Sequence, residues 1–329
     1  MAIAKRAAAP ASRDASLGAL LFRGLSPARR SEAIQGMLFI SPWVIGFLCF
    51  TGYPMLASLY YSFTDYKILG SAQWVGLHNY IYAFTGKPFG SSGDPLFWLS
   101  LSRTVTWVVL IVPLGITGSL LAASLLNRGL IGSRFYRTGF FLPSLTPVVA
   151  ASLLWSWILQ PDIGVLNSVI HTLTGAKGPN WLYSLTWSMP SLLVIALWTG
   201  IGGDRMLIFL AGLQGIPAEL YDAAKTDGAN AFQRWWHITV PMITPAILFN
   251  LILGIIGSFR VFSLAFVTTA GGPAYSTYFY ALHLYAQAFS SFDMGYGSTL
   301  AWILFAIVLL LTLIQLRLSN RWVYYESQR

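Results

Sequence analysis

The chain has 329 residues, 56% of them hydrophobic and 9% charged, with a formal net charge of +9. Soluble domains carry charge on about a quarter of their residues, so this composition excludes a soluble globular protein and places the chain in lipid. One cysteine, Cys49, excludes an intramolecular disulfide, and four scattered histidines (His78, His171, His237, His283) give no ligand-like pair, so no metal site is expected.

Residues 1–35 are basic and rich in Ala and Ser. They lack a compact apolar core followed by a small-residue cleavage site, so they read as a cytoplasmic tail rather than a secretory signal. A membrane-spanning domain is expected over 36–318, followed by a short C-terminal cytoplasmic tail, 319–329. Six stretches reach the roughly twenty apolar residues that a membrane-crossing helix needs: 37–63, 104–126, 138–159, 190–213, 242–268 and 299–316. The predicted fold is therefore all-α and polytopic, with six transmembrane helices. Pro42, Pro54, Pro113, Pro143 and Pro147 fall in the early spans, where neighbouring helices or local adjustments satisfy the freed carbonyls.

Basic residues set the orientation. Lys5, Arg6, Arg13, Arg23, Arg29 and Arg30 precede the first span, and Arg128, Arg134 and Arg137 lie between the second and third. Lys225 and Arg234 lie between the fourth and fifth, and Arg317, Arg321 and Arg329 follow the sixth. Six spans put all of these on one side and leave Lys67, Lys87 and Lys177 on the other, with Arg103 near a span end. This positive-inside bias predicts that both termini, and the polar stretch between the fourth and fifth spans, are cytoplasmic. The net charge is thus a signal of topology and attraction to lipid, not of nucleic-acid binding. No Gly-x-x-x-x-Gly-Lys-Ser/Thr run occurs, so no nucleotide site is expected, and no catalytic constellation is found.

Between the fourth and fifth spans lies a polar island, 216–241. Pro217 suits a first helical turn. Glu219 and Asp222 stand near the positive end of a short helix, and Lys225 nearer its negative end. Ala223 and Ala224 leave a shallow face, and Gly228 can stop the helix at φ > 0. Phe232, Trp235, Trp236 and Ile238 then suit an interfacial helix.

This island resembles the EAA loop of the membrane subunits of bacterial binding-protein-dependent ABC importers. The residues are Asp222-Ala223-Ala224, Asp227-Gly228-Ala229 and Ile238-Thr239-Val240-Pro241. Asp222 stands where the family has Glu, and Val240 where it has Leu. Ser41-Pro42-Trp43, Tyr53-Pro54, Tyr61-Ser62-Phe63-Thr64-Asp65-Tyr66 and Trp74-Val75-Gly76-Leu77-His78-Asn79-Tyr80 resemble the F-type membrane subunit of maltose importers. Phe140-Phe141-Leu142-Pro143, Gly271-Gly272-Pro273 and Gly295-Tyr296-Gly297 extend the likeness to the C-terminus. The resemblance implies an ABC importer permease that binds no cofactor itself. It further implies ATP and Mg on two cytoplasmic ATPase subunits, a second, G-type permease and an extracytoplasmic solute-binding protein. Glu219, Asp222, Ala223, Ala224, Asp227, Gly228 and Ala229 would then dock on the ATPase.

Charges within spans default to functional hypotheses. Asp204 and Arg205 follow Gly200, Gly202 and Gly203 in the fourth span, and Arg260 lies in the fifth. The resemblance places Ser258 and Arg260 near the substrate path, with Trp198 and Asn250 as further candidates, and Phe259 offers an aromatic face for a sugar ring. Arg260 stands where the family has Gln. Two roles stay open for it, contact with an anionic cargo or an ion pair with Asp204. The expected cargo is a carbohydrate or sugar derivative, with glycerol-phosphate-like anions as the alternative. An ion-coupled secondary transporter is the rival from another class, and it predicts buried carboxylates or broken-helix repeats.

Overall fold

The computed structural model describes residues 27–86, 92–128 and 132–324. Lys5, Arg6, Arg13, Arg23, Lys87 and Arg329, most of the 1–35 tail and residues 325–329 lie outside these. The chain divides into two compact units, Met1–Ser58 and Leu59–Arg329.

In the first unit, α1 (Pro27–Phe47) runs into a π-helical turn, Leu48–Gly52, and then into α2 (Tyr53–Tyr61). Together they form a candidate span, Ser31–Tyr61, which starts earlier than the expected 37. The wide turn stands directly before Pro54, which has no N–H for the carbonyl four residues back.

The second unit opens with a two-residue hairpin, β1 (Thr64–Asp65) and β2 (Gln73–Trp74), in antiparallel register Thr64↔Trp74 and Asp65↔Gln73. After α3 (His78–Thr85) comes α4 (Phe97–Leu126), a straight span that starts seven residues before the expected position. The third expected span is two helices bent by 96°: one is α5 (Ser133–Phe141) with a 3-10 turn at Leu142–Leu145, the other α6 (Val148–Ile158). Thr146 is extended at ψ 124°, as the residue before Pro147 must be. A loop with α7 (Val165–Thr174) follows.

The fourth span is also broken. Here α8 (Ser188–Gly200) meets α9 (Asp204–Gln214) at 51°. A Cβ at Gly202 would overlap the Phe140 carbonyl, so this break lets two backbones touch. Next come α10 (Ala218–Thr226), α11 (Ala231–Arg234), a π-helical turn at Trp235–Thr239, and α12 (Val240–Met242). The helix then bends by 65° into α13 (Thr244–Phe259), whose first turn holds Pro245.

The fifth span ends at Phe259, not at 268 as expected. Arg260 (ψ 15°) and Phe262 (ψ −67°) break the helix, and α14 (Ser263–Thr268) packs separately against α6. A run of apolar residues does not distinguish one long span from a span followed by a short packed helix. Then come α15 (Tyr280–Tyr285) with a π-helical turn at Ala286–Ser290, and the last span, α16 (Met294–Ser319). Among the described residues the spans thus number up to six if each bent pair counts once.

The central element is α4, which packs on α8, α9, α13 and α15. One core cluster joins Trp107, Ile111, Leu192, Ile195, Phe259 and Phe279, and a second joins Leu120, Ala123, Met206, Phe209 and Ile243.

The α7 loop is held by one buried side chain. Asn167 Nδ2 donates to the Pro161 and Pro179 carbonyls at 2.9 and 3.2 Å, and its Oδ1 accepts from Trp181 Nε1 at 2.7 Å. Asn167→Ala leaves three polar groups unpaired, a loss of about 1–3 kcal/mol for a buried unsatisfied group. The expected outcome is a lower thermal midpoint and faster proteolysis within 161–189. A midpoint and cleavage rate equal to wild type would remove this role.

Candidate functional site

Backbone chemistry builds the polar island. Pro217 caps α10 with extended backbone (ψ 134°) and so stands just outside the helix, not in its first turn. The helix ends at Gly228, whose φ is +76°. Gly228 N–H donates to the Lys225 carbonyl at 3.0 Å, and Ala229 N–H donates to the Ala224 carbonyl at 2.9 Å. That pair of bonds is a Schellman closure, which requires a left-handed residue. A Cβ at Gly228 would meet no neighbour, so conformation alone calls for glycine.

The next helix starts with a reciprocal cap. Asn230 Oδ1 accepts from Gln233 N–H at 2.9 Å, and Gln233 Oε1 accepts from Asn230 N–H at 2.8 Å. Arg234 donates to the Ala229 carbonyl, and Tyr221 hydroxyl bonds Thr239 Oγ1 at 2.9 Å, fastening the two arms together.

Glu219, Asp222, Ala223, Asp227 and Gly228 are exposed, whereas Ala224 and Ala229 are half-buried. Lys225 Nζ pairs with Asp222 Oδ1 at 2.7 Å on the open surface, a contact of little energetic weight. A concavity of about 360 Å³ beside the helix is lined by Ala224, Asp227, Gly228, Gln233 and His237.

The substrate-path candidates are scattered. Ser258 lines a cavity of about 230 Å³ with Trp107, Ile111, Ala151, Ala196 and Thr199, drawn from four of the bent or straight spans. Trp198 meets Trp155 edge-on at 5.6 Å and lines a different cavity, with Tyr136 and Phe140. Phe259 is 2% exposed and packs in the core. Asn250 is also buried, and its Nδ2 donates to the Ala246 carbonyl of its own helix at 3.0 Å. Arg260 is exposed at the break after α13, and Asp204 is exposed at the start of α9. Among the described residues no ion pair joins them. Arg205, by contrast, is half-buried between helices. A Cβ at Gly115 would meet its Nη1, and one at Gly254 would meet its Nη2.

A buried polar network has no counterpart among the sequence expectations. His283 Nε2 lies 2.6 Å from Asp94 Oδ2, with 0% and 3% of the side chains exposed. Tyr296 hydroxyl donates to the same oxygen, and Leu96 N–H donates to Asp94 Oδ1 at 2.9 Å. The network ties the first end of α4 to α15 and to the start of α16. Its members are 189 and 202 residues apart in sequence, so no spacing pattern announces it. The Asn230–Gln233 cap, by contrast, carries a readable signature, a capping residue three positions before a glutamine.

Residues 115–324 match the family described as the binding-protein-dependent transport system inner membrane component. The chain belongs to this family. As a family member it is 41% identical over 302 residues to the probable ABC transporter permease protein YesP of Bacillus subtilis, covering 91% of this chain and 94% of that one. It is 31% identical to the arabinooligosaccharides transport system permease protein AraP of Halalkalibacterium halodurans, covering 88% and 89%. The fold matches a chain in the crystal structure of a bacterial ABC transporter that imports the acidic polysaccharide alginate. That match has a TM-score of 0.77 at 21% identity, over 89% of this chain and 96% of that one. The family match spans the loop 216–241 and the broken fourth and fifth spans, so these features belong to a permease of the importer type.

Burial tends to raise the Asp94 pKa, but the bonds from His283, Tyr296 and Leu96 lower it further, so the carboxyl stays below its usual range. Its stabilising contribution is therefore complete above the ordinary carboxylate pKa of about 4 and is lost as pH falls through the lower folded value. Asp94→Asn should destabilise the protein by about 1–3 kcal/mol at pH 7. It should also flatten the acid limb of a midpoint-against-pH curve between pH 3 and 7. Parallel curves for the two proteins would contradict this.

Proposed function

We propose that this chain forms, with a second permease, the translocation path of an ATP-driven importer for a carbohydrate or sugar derivative. ATP and Mg act on two ATPase subunits at the cytoplasmic face, and an extracytoplasmic binding protein delivers the cargo. Both termini and the loop 216–241 lie in the cytoplasm. The observation that carries this function is the loop itself, an exposed helix closed by Gly228 and fastened through Tyr221–Thr239 to the arm that becomes the fifth span. A push on α10 is thereby transmitted to α13 through a bonded joint rather than a slack linker. The name of AraP supports a saccharide cargo.

A second cargo class, an anionic solute, is favoured by one observation. Arg260 is exposed and unpaired by any acid among the described residues, next to the cavity residues Ser258 and Val261.

In proteoliposomes the purified chain alone should hydrolyse no ATP, and hydrolysis with uptake should appear only with its ATPase, second permease and loaded binding protein. Gly228→Val should insert normally. The left-handed backbone there costs a residue with a side chain about 1–2 kcal/mol, roughly tenfold in the docked population. Uptake and ATPase co-purification should fall together by about that factor. Full uptake by this variant would remove the coupling role. Orientation is checked separately by labelling Lys177→Cys in a Cys49→Ala background, where reaction only from the extracytoplasmic side is expected. Labelling only from the cytoplasmic side would invert the topology.

A further inference from the structure

Arg205 is half-buried between helices. It lies nine residues from Gln214 at the end of α9, about 14 Å along the helix axis. Its guanidinium fills the space that a Cβ on Gly115 of α4 would take, and it lies near Gly254 of α13. Gly115 is eleven residues from the end of α4, and Gly254 ten from the start of α13, so about 16 and 15 Å from the same end of the bundle. The guanidinium thus sits about three helical turns from that end of the bundle.

A cation at that depth needs a counter-charge or a set of acceptors. Among the described residues Arg205 has neither an ion pair nor a hydrogen bond. One turn beyond Gly115 on the same face of α4, Ser119 is 0% exposed and its Oγ also has no partner. Ile111, one turn the other way, and Gly257, just after Gly254 on α13, line the 230 Å³ cavity. The unpaired charge thus lies one turn along from the cavity that spans two to five enclose.

We propose that Arg205 is a binding group for an anionic cargo, a saccharide bearing a carboxylate, sulfonate or phosphate, held beside that cavity. This rests on the importer function above and narrows its cargo class. A planar guanidinium suits two acceptor oxygens of such a group at once. The glycine at 115 gives the side chain its seat.

The test uses the complex with its second permease, purified in detergent. Its thermal midpoint is measured with equal concentrations of sodium glucuronate, glucose and sodium chloride. Glucuronate should raise the midpoint by a few degrees while glucose and chloride do not. Arg205→Gln should abolish the shift and Arg205→Lys should keep part of it. Gly115→Ala, whose methyl occupies the guanidinium seat, should also abolish it and serves where Arg205→Gln fails to fold. Three results overturn the proposal: no glucuronate shift in wild type, an equal shift with glucose or chloride, or a full shift in Arg205→Gln. Loss of the second permease from the Arg205→Gln complex would assign the counter-charge to that subunit and also overturn it. Uptake of a neutral arabinooligosaccharide by a wild-type complex that shows no glucuronate shift would leave the importer function standing and remove this inference alone.

Discussion

In hydrocarbon, a backbone N–H or C=O that finds no partner within the protein is left without one. That constraint governs every departure from straight helix in this chain. The interruptions at Thr146–Pro147, Gly202–Gly203 and Ile243 lie inside spans, and at each the chain either resumes a helix at once or makes a close backbone approach. The Phe140 carbonyl against Gly202 illustrates the rule, because two broken spans meet at their breaks and only the absence of a Cβ permits it. Proline and glycine here shape an interior more than they weaken helices.

The same accounting explains the polar island. Its two short helices end and begin within a few residues, and the exposed groups at that junction are closed by Gly228, Ala229, Asn230 and Gln233 bonding locally. The result is a stiff corner made with little core. The Tyr221–Thr239 bond ties this corner to the arm that leads, through the bend at Ile243, into α13, which lines the cavity at Gly257 and Ser258.

Charge is distributed sparingly within the bundle. Asp94 is enclosed but receives donors from three elements, and it serves as a tie between the ends of helices. Arg205 is half-buried and, among the described residues, bonds no acceptor. A buried charge that is satisfied and a half-buried one that is not differ only in their surroundings.

Composition and apolar runs were enough to determine a polytopic helical protein, because lipid imposes helix on any long uncharged stretch. The island was legible too, since Pro217, Gly228 and the alanines act through local backbone rules that need no distant partner. Pro143 and Pro147 marked an interruption in span three, and Gly200, Gly202 and Gly203 a loosened span four, but neither bend angle was legible, nor was the end of the fifth span at Phe259, because hydropathy is blind to direction. The ranking of polar candidates also waited for the fold. Phe259 and Asn250 face the core and their own helix, Ser258 faces a cavity, and Arg205 is half-buried where Arg260 is exposed. Asp94, His283 and Tyr296 meet from positions up to 202 residues apart. Only tertiary structure decides such contacts, because they depend on which helix faces lie together and not on the spacing of residues along the chain.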